Sequence, residues 1–180
     1  MERSVYLALG AREGRPREQM RSGLGHLVGS GLGLVCASSL WETEPVGIPG
    51  ALPVLNCAIE IRTDLSPSSL LAACQRAEVA AGRRRGIVGQ PEWRSLDVDI
   101  LLDGPLVLDE RDLVIPHPRF HLRRFNLAPL NEIAPSVVHP VLKVTVAEIL
   151  RSCPDPAWAR RIEASDWAAP VAVERGREVR

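Results

Sequence analysis

The order in which strand-like and helix-like segments follow one another restricts most strongly how this 180-residue chain can fold. Residues 4–10 (SVYLALG) are apolar and β-prone and end at a glycine, so they predict a first strand. Residues 16–29 follow, with apolar side chains at helical spacing, and predict a helix. Two more strands are predicted at 32–41 and 55–62, joined by a loop rich in proline and glycine.

A second helix and a fourth strand complete the pattern. Ser66 is placed to cap a helix that begins at Pro67 and carries an apolar stripe. The fourth strand lies in SLDVDILLDG (95–104), and Asp103-Gly104 predicts the turn that ends it. The order is therefore β-α-β-β-α-β, which predicts an α+β fold of the ferredoxin-like type. Such a sandwich has an antiparallel sheet with both helices on one face, and the other face is then free for ligands.

The C-terminal half is less regular. A segment dense in basic, aromatic and proline residues covers 114–135, and Thr145 and Glu148 form a capping box that predicts a short helix. We expect one domain over residues 1–152. Residues 153–180 are expected to form a C-terminal tail or an accessory helix.

The composition argues against partners that are held by bulk charge. The chain is 46% hydrophobic and 24% charged, and its formal net charge is zero, as in a globular protein that binds neither nucleic acid nor membranes. No apolar run approaches the length that spans a bilayer. The four cysteines are widely spaced and predict buried free thiols in a reducing compartment. We expect a cytoplasmic protein that is a monomer or a weak homodimer.

Asp97 and Asp99 are the first candidates for chemistry. Alternation along a strand points both carboxylates to one face, while Val98 and Ile100 point to the other. Such a pair suits Mg²⁺, which takes one or two carboxylates, several waters and phosphate oxygens. The alternative is a solvated strand face whose acids pair with arginines.

Arginines lie close to this acid pair in sequence. Four of them stand just before it and two follow a prolyl-histidyl segment: Arg83, Arg84, Arg85, Arg94, Arg123 and Arg124. Guanidinium groups bind phosphate oxygens and stabilise the charge that develops in phosphoryl transfer, although a solvated arginine-rich loop is the alternative. His117 lies between two prolines, which argues against a helical zinc site and favours a phosphate contact. The chain has no P-loop and no dinucleotide-binding fingerprint.

Seven separated segments together resemble the 6-hydroxymethyl-7,8-dihydropterin pyrophosphokinases of folate biosynthesis, in the order of that family. They are YLALG (6–10), SSLWETEPVG (38–47), LNCAIEI (55–61), LLAACQRAEVAAGRRR (70–85), WRSLDVDILLDG (93–104), IPHPRFHLRRF (115–125) and APLNEIAP (128–135). The resemblance implies a ferredoxin-like fold. It also implies a reaction in which the diphosphate of ATP is transferred to the hydroxymethyl group of a reduced pterin, with release of AMP.

The resemblance also implies roles for individual residues. Asp97 and Asp99 would hold two Mg²⁺ ions that bridge the ATP phosphates, and Arg83 and Arg94 would stabilise the transferring group. Residues on the ATP side would be Gln75, Glu78, Arg85, Ile100, His117 and Arg123. Residues that bind the pterin would be Thr43, Glu44, Val46, Asn56 and Phe125, of which Phe125 would stack on the ring.

The chain departs from the family pattern in three places. Ala11 and Arg12 replace a Ser-Asn pair after the first strand, and Val54 stands where an aromatic residue usually precedes Leu-Asn. The segment GQPEWRSLDVDI lengthens the loop before the acid pair by about one residue. These departures keep open a metal-dependent phosphoryl or nucleotidyl transferase with another acceptor. A non-catalytic ferredoxin-like module that binds RNA is a second alternative, which the zero net charge and scarce aromatics disfavour.

Overall fold

The computed structural model describes residues 2–12, 14–45, 52–82 and 95–169. The strands are β1 (Arg3–Ala11), β2 (Gly33–Ala37), β3 (Leu40–Thr43), β4 (Val54–Thr63), β5 (Asp97–Asp103), β6 (Leu108–Glu110), β7 (Leu113–Ile115) and β8 (Ala159–Glu163). The α-helices are α1 (Pro16–Gly29), α2 (Pro67–Ala80), α3 (Arg124–Ile133) and α4 (Val146–Arg151). Short 3-10 helices cover Phe120–Leu122 and Ser165–Ala168. Within these ranges the fold is mixed α and β, as the sequence predicts.

The main sheet is antiparallel, and its centre is formed by β1 and β4. The strand order is β5-β1-β4-β3-β8, and β2 also pairs with β4. In β5, Asp97 lies opposite Gly10 and Asp99 opposite Ala8 of β1. These small partners leave space above the acid pair. A separate hairpin, β6-β7, follows β5.

The strand predicted at 32–41 is in fact two strands, because two buried serines interrupt it. Ser38 Oγ accepts a hydrogen bond from Ala58 N at 2.9 Å. The N–H and hydroxyl of Ser39 both donate to Glu132 Oε1, at 3.1 and 2.6 Å, and this carboxylate belongs to α3. Since the backbone N–H of Ser39 donates to a side chain of α3, it cannot pair with a neighbouring strand, and β2 ends before Ser39.

Both faces of the sheet are covered, which corrects the expectation of one free face. Helices α1 and α2 pack on the face that presents Val5, Leu7 and Leu9 of β1. On the other face, α3 and α4 cover Tyr6 and Ala8. The segment that follows β7 has its own apolar side chains to bury, and packing on the open sheet face is how it does so. Among the described residues, the end of β1 remains accessible on this face, where Ala8 and Gly10 line a cavity.

The described part of the C-terminal segment belongs to the same body. Strand β8 pairs antiparallel with β3 and extends the sheet edge. Trp167 is 2% exposed, and its indole Nε1 donates to Ser38 O at 2.9 Å. Residues 153–169, where we expected a tail or an accessory helix, thus include a strand and a 3-10 helix, while the domain boundary at residue 152 stays a prediction.

The structure also bears on two further expectations, those for the cysteines and for membrane-spanning segments. All four cysteines are free, and Cys57 and Cys74 are buried whereas Cys36 and Cys153 are half-buried. Among the helices of the described ranges, none is both long and apolar enough to cross a membrane.

Candidate active site

A cavity of about 470 Å³ opens at the uncovered end of the sheet. Its walls come from β1, β3, β4, β5 and the first turn of α3, together with α2 and the loop that contains His117. One end of the cavity is built around two aspartates, and the other is built around a buried amide and a buried hydroxyl group. We call them the acidic end and the amide end.

The acidic end is built on β5. Asp97 and Asp99 both line the cavity, as strand alternation predicts, and the side chain of Asp99 is 43% exposed. Glu78 of α2 is 8% exposed, and its Oε1 accepts a hydrogen bond from Val98 N at 2.9 Å. Because β5 lies at the sheet edge, Glu78 satisfies an outward backbone amide between the two acids and fixes their strand to the helix.

His117 faces Asp99 across the acidic end. The distance between His117 Nε2 and Asp99 Oδ2 is 3.9 Å. His117 Nδ1 accepts from Arg119 N at 3.1 Å, and the backbone N–H of His117 donates to Leu101 O at 3.0 Å. Since Nδ1 is an acceptor, a neutral ring carries its proton on Nε2, toward Asp99.

Burial is the main reason why the pKa of His117 lies below its ordinary value. The positive charges of Arg123 and Arg119 lower this pKa further, whereas Asp99 opposes the shift. The ring is therefore neutral at pH 7. It can donate one hydrogen bond from Nε2 without adding a full charge to the site.

Arg123 also lines the cavity. Its guanidinium carbon lies 5.4 Å from the centroid of the Phe125 ring, which is a cation–π distance. Burial, and then the charge of Arg119, lower the pKa of Arg123 from its ordinary value, while Asp99 and Asp155 act against this. An arginine remains charged despite such a shift, so the wall presents a fixed cation.

The amide end is formed by side chains that already bond to one another. Thr43 and Asn56 are 1% and 5% exposed, and Asn56 Nδ2 donates to Thr43 Oγ1 at 2.7 Å. A Cβ atom at Gly10 would lie 3.0 Å from Asn56 Oδ1, so the close approach of this amide needs a glycine on β1. Glu44, Pro45 and Val54 also line this end of the cavity.

Most of the candidates from the sequence come together in this one cavity. Those that line it are Thr43, Glu44, Asn56, Glu78, Asp97, Asp99, His117, Arg123 and Phe125. Two candidates do not line it: Gln75 is exposed on α2, and Ile100 is buried in the core beneath α1 and α2. Arg83, Arg85, Arg94 and Val46 lie outside the described residues.

Sequence reasoning missed several residues of the cavity wall. Arg119 is one of them, and its position two residues after His117 is the signal in the sequence that could have identified it. Asn126 is 2% exposed and lines the cavity, and its Nδ2 has no hydrogen-bond partner in the described part of the chain. No sequence signal distinguishes this asparagine from a polar position on a helix surface.

The donor set of the acidic end fits Mg²⁺. Within the residues that the structure describes, no group of three or more His, Cys, Asp or Glu side chains converges as a complete protein cage. Asp97 and Asp99 instead offer two carboxylates beside an open cavity. Mg²⁺ prefers such a partial set because it keeps waters and takes its other ligands from phosphate oxygens.

The chain is similar to known proteins over most of its length. The family model for 7,8-dihydro-6-hydroxymethylpterin-pyrophosphokinase (HPPK) matches residues 6–135. A 2-amino-4-hydroxy-6-hydroxymethyldihydropteridine pyrophosphokinase of Bacillus subtilis is 37% identical over 138 residues, which are 76% of this chain and 81% of the relative. The protein of the same name from Haemophilus influenzae is 35% identical and is matched over 84% of this chain and 94% of its own length.

Other similar proteins are longer than this chain. The folic acid synthesis protein fol1 of Schizosaccharomyces pombe is 35% identical, and the match covers 83% of this chain but 20% of that protein. Among solved structures, wild-type HPPK-DHPS of Plasmodium falciparum has a TM-score of 0.65 at 17% identity, over 84% of this chain and 45% of that one. At this identity the structural match supports the fold alone.

Proposed function

Because the chain belongs to the 7,8-dihydro-6-hydroxymethylpterin-pyrophosphokinase family, we propose that its cavity binds ATP and 6-hydroxymethyl-7,8-dihydropterin side by side. The enzyme is an ATP-dependent pyrophosphokinase of folate biosynthesis. The diphosphate of ATP is transferred to the pterin hydroxymethyl oxygen, and AMP leaves. The observation that carries the proposal is that one cavity holds both a charged end and an end of buried hydrogen-bonding groups.

The acidic end is proposed to bind the ATP phosphates with two Mg²⁺ ions held by Asp97 and Asp99. Ions held there would neutralise phosphate charge and stabilise the charge that develops in the transfer. The chain's own part is to present two carboxylates on one strand, with Glu78 fixing that strand through Val98 N. The two carboxylates are therefore in position before the substrates bind. Such positioning is a main source of catalysis in phosphoryl transfer.

His117 and Arg123 are proposed to contact the phosphates from the other side. His117 is neutral and donates from Nε2, and Arg123 supplies a fixed positive charge. Arg119 adds a second cation to this wall. Arg83 and Arg94 are proposed to stabilise the transferring group. Arg85, Gln75 and Ile100 stay proposed contacts on the ATP side, although Gln75 and Ile100 lie outside the residues that line the cavity.

The amide end is proposed to bind the pterin. Asn56, held by Thr43, offers its Oδ1 to the edge of the heterocycle, and Glu44 and Val46 are proposed to complete that edge. Phe125 is proposed to stack on one ring face. Val54 offers only an aliphatic surface, so stacking on a second face is absent at this position.

Three finer expectations remain part of the proposal. The strand order β5-β1-β4 followed by β2 and β3, with α1 and α2 on one face, supports a ferredoxin-like sandwich. A cytoplasmic location and a monomer or weak homodimer are still predictions. The same holds for the absence of a nucleic acid partner.

The test is an assay of the purified protein with ATP, Mg²⁺ and the reduced pterin, followed by separation of the nucleotide products. We expect AMP and a diphosphorylated pterin in equal amounts, and no AMP when the pterin is omitted. Release of pyrophosphate in place of AMP would indicate nucleotidyl transfer and would overturn the proposal.

A further inference from the structure

A segment from the C-terminal region bonds to residues at two places in or next to the cavity wall. We call residues 155–158 the C-terminal strap. At one end of the strap, Asp155 Oδ2 accepts a hydrogen bond from Arg124 N at 2.9 Å, and Asp155 O accepts one from Arg124 Nε at 3.1 Å. Asp155 Oδ1 accepts from Ala157 N at 3.0 Å. Every oxygen atom of Asp155 is therefore engaged, and its carboxylate is held in one orientation.

Asp155 caps helix α3 from a distance of 31 residues in sequence. Arg124 is the first residue of α3, and the side chain of Arg123, at the preceding position, makes no capping hydrogen bond. The first amides of a helix have no partner within the helix, and a carboxylate at that end is stabilising. Asp155 supplies this cap, and the residues on either side of Arg124 are Arg123 and Phe125, both in the cavity wall.

The other end of the strap is fixed to the amide end of the cavity. Glu44 N donates to Trp158 O at 3.2 Å, and Trp158 N donates to Glu44 Oε2 at 3.4 Å. Glu44 lines the cavity directly after Thr43. The strap thus joins the start of α3 to the residue that follows β3, and both places contribute to the wall of one cavity.

We propose that Asp155 is a positioning residue, which acts through Arg124 to hold Arg123 and Phe125 at a fixed distance from the Thr43–Glu44 wall. The inference rests on the proposed function, because it assigns Arg123 to the phosphates and Phe125 to the pterin. Without the cap, the first turn of α3 frays and both side chains leave their positions together. Substrate affinity and turnover then fall together, although Asp155 touches neither substrate.

The first experiment compares steady-state kinetics of Asp155→Ala and Asp155→Asn with a matched control. Thr145→Ala removes a comparable cap from α4, which packs against α3 but does not line the cavity. Loss of a helix cap lowers the melting temperature of a chain of this size by about 2–4 °C, so both alanine variants should show this.

We expect Asp155→Ala alone to lower kcat/KM for the pterin by about tenfold, through both a higher KM and a lower kcat. Asp155→Asn keeps an oxygen that accepts from Arg124 N, so it should stay within about threefold of the unaltered protein. The proposal is overturned if Asp155→Ala has unaltered kinetics, or if Thr145→Ala shows an equal kinetic loss.

A second measurement separates this inference from the proposed function. Hydrogen exchange of the amides of residues 124–127 reports the first turn of α3 without any substrate. We expect faster exchange there in Asp155→Ala and unaltered exchange in Thr145→Ala. If the unaltered protein does not release AMP, the proposed function fails, and the exchange result still decides whether Asp155 holds α3. Unchanged exchange in Asp155→Ala would overturn the inference.

Discussion

The two ends of the cavity are built in different ways. At the amide end, Thr43 and Asn56 are almost fully buried and bond to each other at 2.7 Å, so this end is complete without a ligand. At the acidic end, Asp99 is 43% exposed, and in the described part of the chain the ion-pair partner within reach is His117, 3.9 Å away. A buried, paired end selects a substrate by shape and hydrogen bonding. A charged and open end instead suits the cation and phosphate groups that we propose for it.

The largest expected effect is at the acidic end. Asp97→Asn or Asp99→Asn removes one of two carboxylates that we assign to the Mg²⁺ ions, so we expect turnover to fall at least ~1,000-fold, or about 4 kcal/mol of transition-state stabilisation. Calorimetry should also show weaker Mg²⁺-dependent binding of a non-hydrolysable ATP analogue. Asp109→Asn, an exposed acid on β6, is the matched control.

Pterin binding in the absence of ATP should be unchanged within about twofold in these variants. A large loss of pterin affinity in Asp99→Asn would contradict the distinction between the acidic end and the amide end, because it would mean that the two ends do not act separately.

A smaller effect is expected at the amide end. Asn56→Ala removes an amide that bonds to Thr43 and faces the cavity, so we expect KM for the pterin to rise about 10–100-fold, as for other lost buried hydrogen bonds. The affinity for the ATP analogue should stay as it is. Asn131→Ala removes an amide from α3 outside the cavity lining and serves as the control. An equal loss of ATP affinity in Asn56→Ala would contradict a separate amide end.

A gain of affinity of about fivefold is expected when an aromatic ring replaces the side chain of Val54. Val54 lines the amide end, and a ring there provides a second stacking surface for the pterin. Val54→Phe should therefore lower the dissociation constant of the pterin, measured by fluorescence titration. Val35→Phe adds the same ring at a half-exposed position on β2 and should change nothing. Weaker pterin binding in Val54→Phe would show that this wall does not face the heterocycle.

The smallest effect concerns pH and should arise from His117. Its pKa in the folded protein lies below the ordinary value, so below about pH 6.5 the unfolded chain binds a proton that the folded chain resists. Folding stability from this residue is therefore present at neutral pH and is lost as the pH falls. Between pH 7.5 and 5.5 the melting temperature should fall less in His117→Gln than in the unaltered protein, with His26→Gln of α1 as the exposed control. Equal slopes in all three would remove His117 as the cause.

Local patterns in the sequence predicted much of the fold and part of the site. Alternation placed Asp97 and Asp99 on one face, because strand geometry fixes that relation whatever the rest of the chain does. The cap at Ser66 and the capping box at Thr145 are both present in the structure, since they depend on residues three positions apart. Features that depend on such short-range relations are therefore present in the complete fold as the sequence predicts them.

Features that depend on distant contacts could not be read from the sequence. Helix α3 contains Pro129, and its position is supported by Glu132 bonding to Ser39 and by Asp155 bonding to Arg124. The split between β2 and β3 has the same origin. A strand at 159–163 was also unforeseen, because the segment ARRIE has no alternation that separates it from a helix. In each case the partner is about 30 or more residues away in the chain.

The central place of β1 in the sheet has a consequence for how the protein acquires its fold during synthesis. Strand β1 is made first, but its neighbours β4 and β5 end at Thr63 and Asp103. At translation rates of about 5–20 residues per second, roughly 5–20 s pass between the end of β1 and the completion of β5. The apolar strand Arg3–Ala11 therefore lacks at least one of its two sheet partners until β5 has been made. During that interval it is the segment that most needs protection from aggregation, by a chaperone or by early contact with α1.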